Sequence, residues 1–244
     1  MTVLVVTGTG TGVGKTVATA AVAAVAGSRG SAVAVVKPAQ TGAGSDEPGD
    51  VATVLALAGL PPEAGHEGAR FLLPLAPSSA ARLEGVAATD IDAVAALVTG
   101  LADTTDLVLV EGAGGLLVPY DPAGRTLADL AGDLDCAVLV VVPAGLGALN
   151  GTALTLEALR VRGLASAGVV VGSWPAEPDL ACRTNLDDLE TLAGRPLAGV
   201  LPDGMGSLAP EPFLAAAFAG LGPELGGTFD AADFRRTHAA RPEG

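Results

Sequence analysis

The chain has 244 residues, of which 50% are hydrophobic and 3% aromatic, and its formal net charge is −14. Such an acidic chain is not typical of a general nucleic-acid or anionic-membrane binder, because both functions need basic surfaces. The two cysteines, Cys136 and Cys182, show neither metal-binding spacing nor a disulfide framework. We therefore expect two core thiols in a reduced, cytoplasmic protein with no signal peptide and no membrane span.

The first elements are a strand, a glycine-rich loop and a helix. The β-branched run at 3–7 predicts a buried strand, and the run from Thr16 to Gly27 predicts a helix ending at a glycine. This order is what a phosphate-binding loop requires, since backbone N–H groups and the helix dipole then face an anion. The usual pattern G-x-x-x-x-G-K-[ST] is incomplete, because Thr9 takes the place of its first glycine. The loop glycines are Gly8, Gly10, Gly12 and Gly14.

Lysine is rare in this chain. Only Lys15 and Lys37 occur, against eleven arginines, and both follow predicted strands. A positive charge at a helix N-terminus opposes the helix dipole, so Lys15 makes sense mainly when an anion lies between them. Lysine is a compact point charge on a flexible stem, which suits chemistry at a phosphate.

The rest of the chain alternates strands with helices. Strands are predicted at 31–38, 107–110, 136–143, 167–175 and 195–203, with a short one at 71–73. Helices are predicted at 51–58, 89–102, 125–132, 150–163, 179–194 and 210–222, the second of these capped by Thr89 or Asp90. Unbroken apolar strands between helices indicate a single-domain α/β fold, with a mostly parallel sheet covered on both faces. We assign this domain to residues 1–225 and a polar tail, expected to fray, to residues 226–244.

Chemically capable groups gather where the predicted strands end. The glycine-rich loop, Lys37, Glu111 and Ser173 all follow strands, and ligands of parallel sheets collect at that edge. An unpaired carboxylate after a buried strand is costly, so Glu111 predicts a Mg²⁺ site together with the Thr16 hydroxyl. A second carboxylate is open among three candidates. These are Asp46, Glu47 and Asp50.

Three aromatic side chains give weaker signals. His66 and His238 fall in a predicted loop and in the tail, where solvated side chains are expected and no metal cluster is formed. Trp174, the single tryptophan, follows a strand at the ligand edge. It fits two roles equally, flanking a nucleobase or packing against the protein.

Five segments together resemble dethiobiotin synthetase, a P-loop NTPase family, over about residues 1 to 210. They are "VTGTGTGVGKT", "VVKPAQTG", "LVEGAGGLLVP", "VPAGLGALN" and "VGSWP". The resemblance implies that one amine of 7,8-diaminopelargonate captures CO₂ as a carbamate, which ATP phosphorylates. The second amine then closes the ureido ring and releases phosphate, in a step of biotin biosynthesis. It also implies Mg²⁺ as cofactor and a homodimer.

The resemblance assigns roles to individual residues. Lys37, Lys15 and Thr11 would be catalytic, with Lys37 on the carbamate and Thr11 near the substrate amines. Substrate contacts would come from Thr41 and, through the partner's helix start, from Gly147 and Asn150. The metal ligands would be Thr16, Asp50 and Glu111. The nucleotide site would comprise Gly12, Val13, Gly14, Lys15, Thr16, Val17, Asp50, Glu111, Gly112, Ala113, Gly114, Gly172, Ser173, Val200, Leu201 and Pro202.

The chain departs from the family pattern at three places. Gly12 replaces an acidic loop residue of some members, and Ala80 replaces a common proline. Ser173 and Trp174 stand where many members have Asn-Asp, a reader of adenine. Because a short hydroxyl discriminates bases less well, we expect a relaxed nucleotide preference.

Three other functions fit the sequence less well. A partner-regulated ATPase of the partitioning type carries an extra loop lysine, where this chain has Gly10. An amidoligase of cobyrinate type needs a glutamine-hydrolysing domain, for which 244 residues leave no room. A nucleotide-binding module without catalysis would have no use for Lys37.

Overall fold

The computed structural model describes residues 2–240, and its centre is one parallel sheet. The strands are β1 (Thr2–Gly8), β2 (Val33–Thr41), β3 (Gly65–Phe71), β4 (Leu107–Gly115), β5 (Ala137–Val142), β6 (Ser166–Trp174) and β7 (Gly199–Pro202). Their order is β3-β2-β4-β1-β5-β6-β7, and every neighbouring pair is parallel. All strands therefore end at the same edge, with β1 in the middle. The predicted fold class is confirmed.

Helices cover both faces of the sheet, as the alternating pattern predicted. They are α1 (Lys15–Ser28), α2 (Asp50–Ala58), α3 (Pro77–Glu84), α4 (Ile91–Ala102), α5 (Leu127–Asp133), α6 (Ala148–Val161), α7 (Leu180–Ala193), α8 (Pro210–Gly220) and α9 (Ala231–His238). One buried cluster joins the sheet to α4, α5 and α7, and a second joins it to α1, α2 and α8. The cap of α4 is Asp90, whose carboxylate accepts the N–H of Ala93. Along the described residues, no helix is long and apolar enough to cross a membrane.

The edge strand β3 differs from its prediction. A short strand was expected at 71–73, but the strand runs from Gly65 to Phe71 and pairs with β2. Its sequence, "GHEGARF", has no alternation of apolar residues, so the backbone pairing with β2 rather than side-chain pattern makes it a strand. His66 consequently lies half-buried in a strand and not in a solvated loop.

The C-terminal segment also differs from expectation. Residues 231–238 form helix α9 where a frayed tail was expected, and Phe234 packs edge-on against Trp174 with ring centroids 5.3 Å apart. His238 contacts the same two rings, at 4.3 Å from Phe234, so its predicted solvated position is wrong. Trp174 therefore packs against other side chains of the protein, which is one of the two roles predicted for it. The domain boundary at 225/226 stays a prediction, and residues 241–244 lie outside the described part.

Both cysteines lie in or against the larger buried cluster. Cys182 is buried, and Cys136 is half-buried beside the Ala131 carbonyl. Burial raises the pKa of the Cys136 thiol to about 11 and also raises that of Cys182. A raised pKa disfavours the reactive thiolate, and the position of Cys182 within the cluster and of Cys136 against it agrees with the prediction of two core thiols.

Candidate active site

The loop between β1 and α1 is held against the end of β6. Gly14, the residue before α1, has φ +94°, and a Cβ built on it would lie 2.5 Å from the Gly172 carbonyl oxygen. Positive φ and this close backbone approach both require glycine. The Lys15 ammonium is largely buried and donates to the Gly10 carbonyl at 2.9 Å. The loop is therefore a tight turn that leads directly into α1, a helix of 14 residues. Backbone N–H groups lie at the start of that helix.

A charged cluster fills the edge of the sheet beside this loop. Lys37, 3% exposed, projects from β2 and lies 2.8 Å from Glu111 Oε1 on β4 and 2.5 Å from Asp50 Oδ2 at the start of α2. It also donates to the Gly112 carbonyl at 3.2 Å. Thr16, in the first turn of α1, donates its hydroxyl to the same Glu111 oxygen at 3.0 Å. Four elements thus bring one cation, two carboxylates and a hydroxyl together.

The two lysines respond differently to burial. Burial works to lower the pKa of Lys37, but the carboxylates of Glu111 and Asp50 outweigh it, so the pKa is raised and the group stays charged. Burial lowers the pKa of Lys15, and the nearby charge of Lys37 lowers it further. An anion placed between the two ammonium groups would relieve their repulsion. The site therefore favours a phosphate or carboxylate ligand.

The environment of Glu111 indicates a site for a further cation. Its Oε2 atom is buried and, within the described residues, has no hydrogen-bond partner. No three acidic, histidine or cysteine side chains gather there or elsewhere in residues 2–240, so protein ligands alone do not make a metal cage. Mg²⁺ is ordinarily held by one or two carboxylates together with substrate phosphates and water. Glu111, Asp50 and Thr16 fit that donor set.

The structure distinguishes among the three candidates for the second carboxylate. Asp50 reaches Lys37, and its backbone N–H is fixed by Gln40 Oε1 at 2.8 Å. Asp46 and Glu47 are exposed in the preceding loop, where Glu47 accepts the N–H of Gly44. Of the three, Asp50 alone lines the cavity beside the loop.

A cavity of about 760 Å³ opens beside the loop and the charged cluster. Most of the predicted catalytic, phosphate and metal residues line it, namely Thr11, Gly12, Gly14, Lys15, Thr16, Val17, Lys37, Thr41, Asp50, Glu111, Ala113 and Gly114. Residues that sequence reasoning did not single out complete the wall, namely Ala39, Gln40, Pro74, Leu75, Ala76, Pro77 and Val118. The segment 74–77 carries no periodic pattern and so gave no signal. Gln40 stands in the quoted "KPAQTG" and could have been found there.

Other predicted residues surround the loop without lining this cavity. Val13, a residue of the loop, is buried, and Gly172 packs directly on the loop backbone at Val13 and Gly14. Ser173 donates its hydroxyl to Asp203 Oδ1 at 2.7 Å, beside β7. Val200 and Leu201 are buried in the core and Pro202 is exposed, so a base could meet the side chain of Pro202 but not those of the other two.

The start of α6 stands apart from the cavity. Gly147 precedes the helix with φ +92°, and Asn150 is exposed in its first turn. Leu146 beside them is 94% exposed. A single chain therefore does not bring these residues to the cavity wall.

One further buried contact was missed. The Ala113 N–H donates to the Tyr120 hydroxyl at 2.7 Å, and Tyr120 is fully buried. Burial raises the pKa of that hydroxyl, so it stays neutral. The contact fixes the end of β4, where Ala113 lines the cavity. No local sequence pattern around Tyr120 predicts this hydrogen bond.

Comparisons with known proteins identify the family. A family model described as an AAA domain matches residues 2–208. A protein of Frankia casuarinae named ATP-dependent dethiobiotin synthetase BioD is 67% identical, over 96% of this chain and 98% of that protein. Proteins of the same name from Parafrankia sp. and Streptomyces coelicolor are 59% and 56% identical, each over 98% of this chain and at least 99% of their own length.

Solved structures agree on the fold. The MinC:MinD cell division protein complex of Aquifex aeolicus gives a TM-score of 0.58 at 14% identity, covering all of this chain and 99% of the other. The septum site-determining protein MinD of Pyrococcus horikoshii, complexed with Mg-ADP, gives 0.55 at 15% identity, covering 92% and 94%. At such identities the likeness extends to the fold alone. By its high full-length identity to the named relatives, the chain belongs to the dethiobiotin synthetase family.

Proposed function

We propose that the protein closes the ureido ring of dethiobiotin from 7,8-diaminopelargonate, CO₂ and ATP, with ADP and phosphate as the other products. The name of the relatives supports this reaction. The observation that carries it is the buried Lys37, held between Asp50 and Glu111 beside the phosphate loop. A nucleotide-binding module would have no need for that second lysine.

The reaction proceeds in three steps. One amine adds to CO₂ and loses a proton, giving a carbamate. A carbamate oxygen takes the γ-phosphoryl group of ATP, and the bond from that phosphorus to the ADP oxygen breaks. The second amine attacks the carbamoyl carbon, expels phosphate and loses a proton as the ring closes. All reacting groups belong to the substrates, so the protein contributes position and charge.

The loop would hold the ATP phosphates. Helix α1 begins at Lys15, directly after the loop, so the backbone N–H groups from Gly12 to Val17 would be available to the phosphates. Lys15 donates to a loop carbonyl, and a phosphate within reach would offer it a charged acceptor instead. Gly112, Ala113 and Gly114 would border the same phosphates from the end of β4.

Lys37 would stabilise the transferring group. Its pKa is raised by Glu111 and Asp50, so it is protonated at neutral pH and can neutralise charge on the carbamate and the γ-phosphate. Thr11 and Thr41 line the same cavity and would accept or donate hydrogen bonds to the substrate amines.

Mg²⁺ fits beside these groups. Thr16, Asp50 and Glu111 would hold it, and Glu111 Oε2, which has no hydrogen-bond partner among residues 2–240, could serve as one of the ligands. When bound, the ion supplies positive charge to the phosphate oxygens of ATP. The carboxylates of Glu111, which is buried, and Asp50, which is partly exposed, would then serve the ion and Lys37 together.

A homodimer would complete the site. Gly147 and Asn150 lie outside the cavity of their own chain, at the start of a 14-residue helix. In a dimer, the N–H groups of the partner's helix start would receive the substrate's tail carboxylate. Leu146, almost fully exposed in one chain, would then be covered. The enzyme would act in the cytoplasm, where its co-substrate ATP is abundant.

The partitioning-type ATPase is not favoured. The likeness to MinD lies at 14% and 15% identity and concerns the fold, whereas the named relatives reach 67%. Gly10 also stands where the extra loop lysine of that class is expected.

The test is phosphate release from ATP, Mg²⁺ and bicarbonate, with and without 7,8-diaminopelargonate. We expect release that depends on the diamine, and a loss of at least about a hundredfold in Lys37→Gln, since removing one such stabilising charge typically has that effect. Arg82→Gln, an exposed position on α3, is the control. Release that is indifferent to the diamine would overturn the proposal and revive the ATPase.

A further inference from the structure

A buried side chain of α7 holds the loop that leads into α6. Asn185 is 6% exposed, and its Nδ2 atom donates to two backbone carbonyls, that of Ala144 at 2.7 Å and that of Gly145 at 2.9 Å. An amide nitrogen carries two protons, so both are engaged within the protein and none is left for a ligand. A buried amide is costly unless it is hydrogen-bonded, so the side chain and the loop fix each other.

The loop that Asn185 holds is a tight turn with an exposed tip. The Ala148 N–H donates to the Gly145 carbonyl at 3.2 Å, which closes the turn over residues 145–148. Gly147, the third residue of the turn, has φ +92° and ψ −12°, as in a type II turn. Leu146 forms the exposed tip. The Gly145 carbonyl thus joins Asn185 to the turn, so Asn185 fixes the direction in which α6 begins.

The first turn of α6 is also held by the phosphate loop of the same chain. A Cβ built on Gly151 would lie 3.2 Å from the Thr9 Cβ, so the helix and the loop are in direct contact there. Thr9 is itself tied to β5, since its N–H donates to the Val141 carbonyl at 3.1 Å. With Asn185 acting before the helix and Thr9 beside it, the N–H groups of the first helical turn have a fixed position.

The use of this fixed helix start follows from the proposed function, on which this inference rests. There, the N–H groups at the start of the partner's α6 receive the tail carboxylate of the substrate. We infer that Asn185 is a positioning residue for that carboxylate, because it sets where the N–H groups of α6 lie in the partner's active site. Each Asn185 therefore serves the centre that contains the Lys37 of the other chain. Hydrogen bonds depend on direction, so a shift of the helix start weakens the contact with the carboxylate.

The first test compares 7,8-diaminopelargonate with its methyl ester, which keeps both amines but lacks the negative charge. For the wild type we expect kcat/KM to be at least about tenfold higher with the acid, because hydrogen bonds to a charged group are worth that much. In Asn185→Ala, kcat/KM for the acid should fall at least about tenfold through KM, while that for the ester and the KM for ATP stay within about threefold. Asp188→Ala, an exposed position on the same helix, should keep the wild-type values.

A mixed dimer tests whether Asn185 serves the partner's active site. Chains carrying Asn185→Ala and Lys37→Gln are co-expressed with different affinity tags, and the mixed dimer is isolated through both tags. One of its two centres then combines an intact Lys37 with an α6 held by an intact Asn185, so we expect about half of the wild-type kcat/KM for the acid. If Asn185 acted within its own chain, neither centre would be intact and at most about a twentieth would remain. That result, or a chain that forms no dimer, would overturn the inference.

Binding measurements separate this inference from the proposed function. Calorimetric titration of the acid and of the ester into each variant, with ADP and Mg²⁺ present, needs no turnover. If diamine-dependent phosphate release fails but the acid loses its advantage over the ester in Asn185→Ala, the positioning role stands and the reaction does not. If Asn185→Ala weakens acid and ester equally, or neither, the positioning role is overturned. Melting temperatures identify misfolding, and Asn185→Ser, too short to reach both carbonyls, then replaces the alanine variant.

Discussion

The two sides of the phosphate loop are built differently. On the side of β2 and β4, Lys37 and Glu111 are almost fully buried and are joined by direct ion pairs and hydrogen bonds. On the side of β6 and β7, the polar groups are Ser173 and Asp203, half-buried and exposed, joined by a single side-chain hydrogen bond. Charges that are buried act at low dielectric, whereas exposed groups are screened by water and salt.

We propose that this difference separates the chemical step from recognition of the nucleotide. A buried charge that loses its partner is strongly destabilising, so the β2 and β4 side tolerates few substitutions. An exposed carboxylate can be replaced with little effect on folding, so the β6 and β7 side is free to vary with the nucleotide. We therefore expect substitutions on the first side to abolish turnover, and substitutions on the second to change which nucleotide is used.

The largest effect is expected where the two sides meet. In Gly14→Ala, the new Cβ would lie 2.5 Å from the Gly172 carbonyl oxygen at φ +94°, so loop and β6 must move apart. A displacement of about 1 Å in a phosphate site can reduce the rate about a hundredfold. We expect at least that loss in kcat/KM for ATP. The measurement is steady-state phosphate release.

Gly10→Ala is the matched control for this glycine. A Cβ on Gly10 meets nothing within 4 Å, and its φ is not positive. Its turnover should stay within a few-fold of the wild type. Equal losses of turnover in the two variants would mean that an alanine at either loop position impairs the enzyme. The close approach of Gly14 to Gly172 would then not be the cause of the loss.

A metal requirement sharpens the description of the buried side. Asp50→Asn removes a carboxylate that reaches Lys37, whereas Asp46→Asn changes an exposed loop carboxylate. We expect the Mg²⁺ concentration for half-maximal turnover to rise at least about tenfold in Asp50→Asn and to stay unchanged in Asp46→Asn. Binding of Mn²⁺ to the ADP complex of each variant, followed by electron paramagnetic resonance, tests without turnover whether Asp50→Asn weakens metal binding more than Asp46→Asn does. The reverse order would remove Asp50 from the site.

Much of the fold could be predicted from local pattern. Central strands such as β5 are unbroken runs of Val and Leu, and helices such as α7 have a capping Asp179 and a terminal Gly194. The edge strand β3 and helix α9 could not be predicted in this way. The first depends on pairing with β2, and the second on the packing of Phe234 against Trp174. Both are tertiary effects that override local preference.

The site was predictable to the extent that it lies in short segments. Lys15, Thr16, Lys37 and Glu111 stand in motifs at strand ends, and the topology brings them together. Asp50 could not be separated from its neighbours, because the order of charges in a loop does not tell which one reaches the sheet edge. The bond from Ser173 to Asp203 joins residues 30 positions apart, so it required the structure.

The hydroxyl of Tyr120 tests how the end of β4 is supported. Tyr120→Phe removes the acceptor of the buried Ala113 N–H, and an unsatisfied buried donor costs about 1–3 kcal/mol. We expect that decrease in the free energy of unfolding, measured with urea. Thr99→Ala, which removes an exposed helix hydroxyl, should change it by less than about 0.5 kcal/mol. An unchanged stability in Tyr120→Phe would mean that water replaces the hydroxyl.

The smallest effect is expected at Arg70, which holds the loop before α2. Its guanidinium pairs with Glu67 at 2.7 Å and also donates to the carbonyls of Gly44 and Glu47, at 2.7 and 2.9 Å. A lysine cannot make this fork of hydrogen bonds, so Arg70→Lys should loosen the loop that delivers Asp50.

Since each lost hydrogen bond is worth about 0.5–1.5 kcal/mol, the Mg²⁺ requirement should rise roughly three- to tenfold while kcat stays near the wild-type value. Arg82→Lys, exposed on α3, should leave both unchanged. If kcat falls and the Mg²⁺ requirement does not, Arg70 acts on the substrate cavity rather than through Asp50. In that case the buried side would extend to the edge strand β3, and the two sides of the loop would differ in extent as well as in burial.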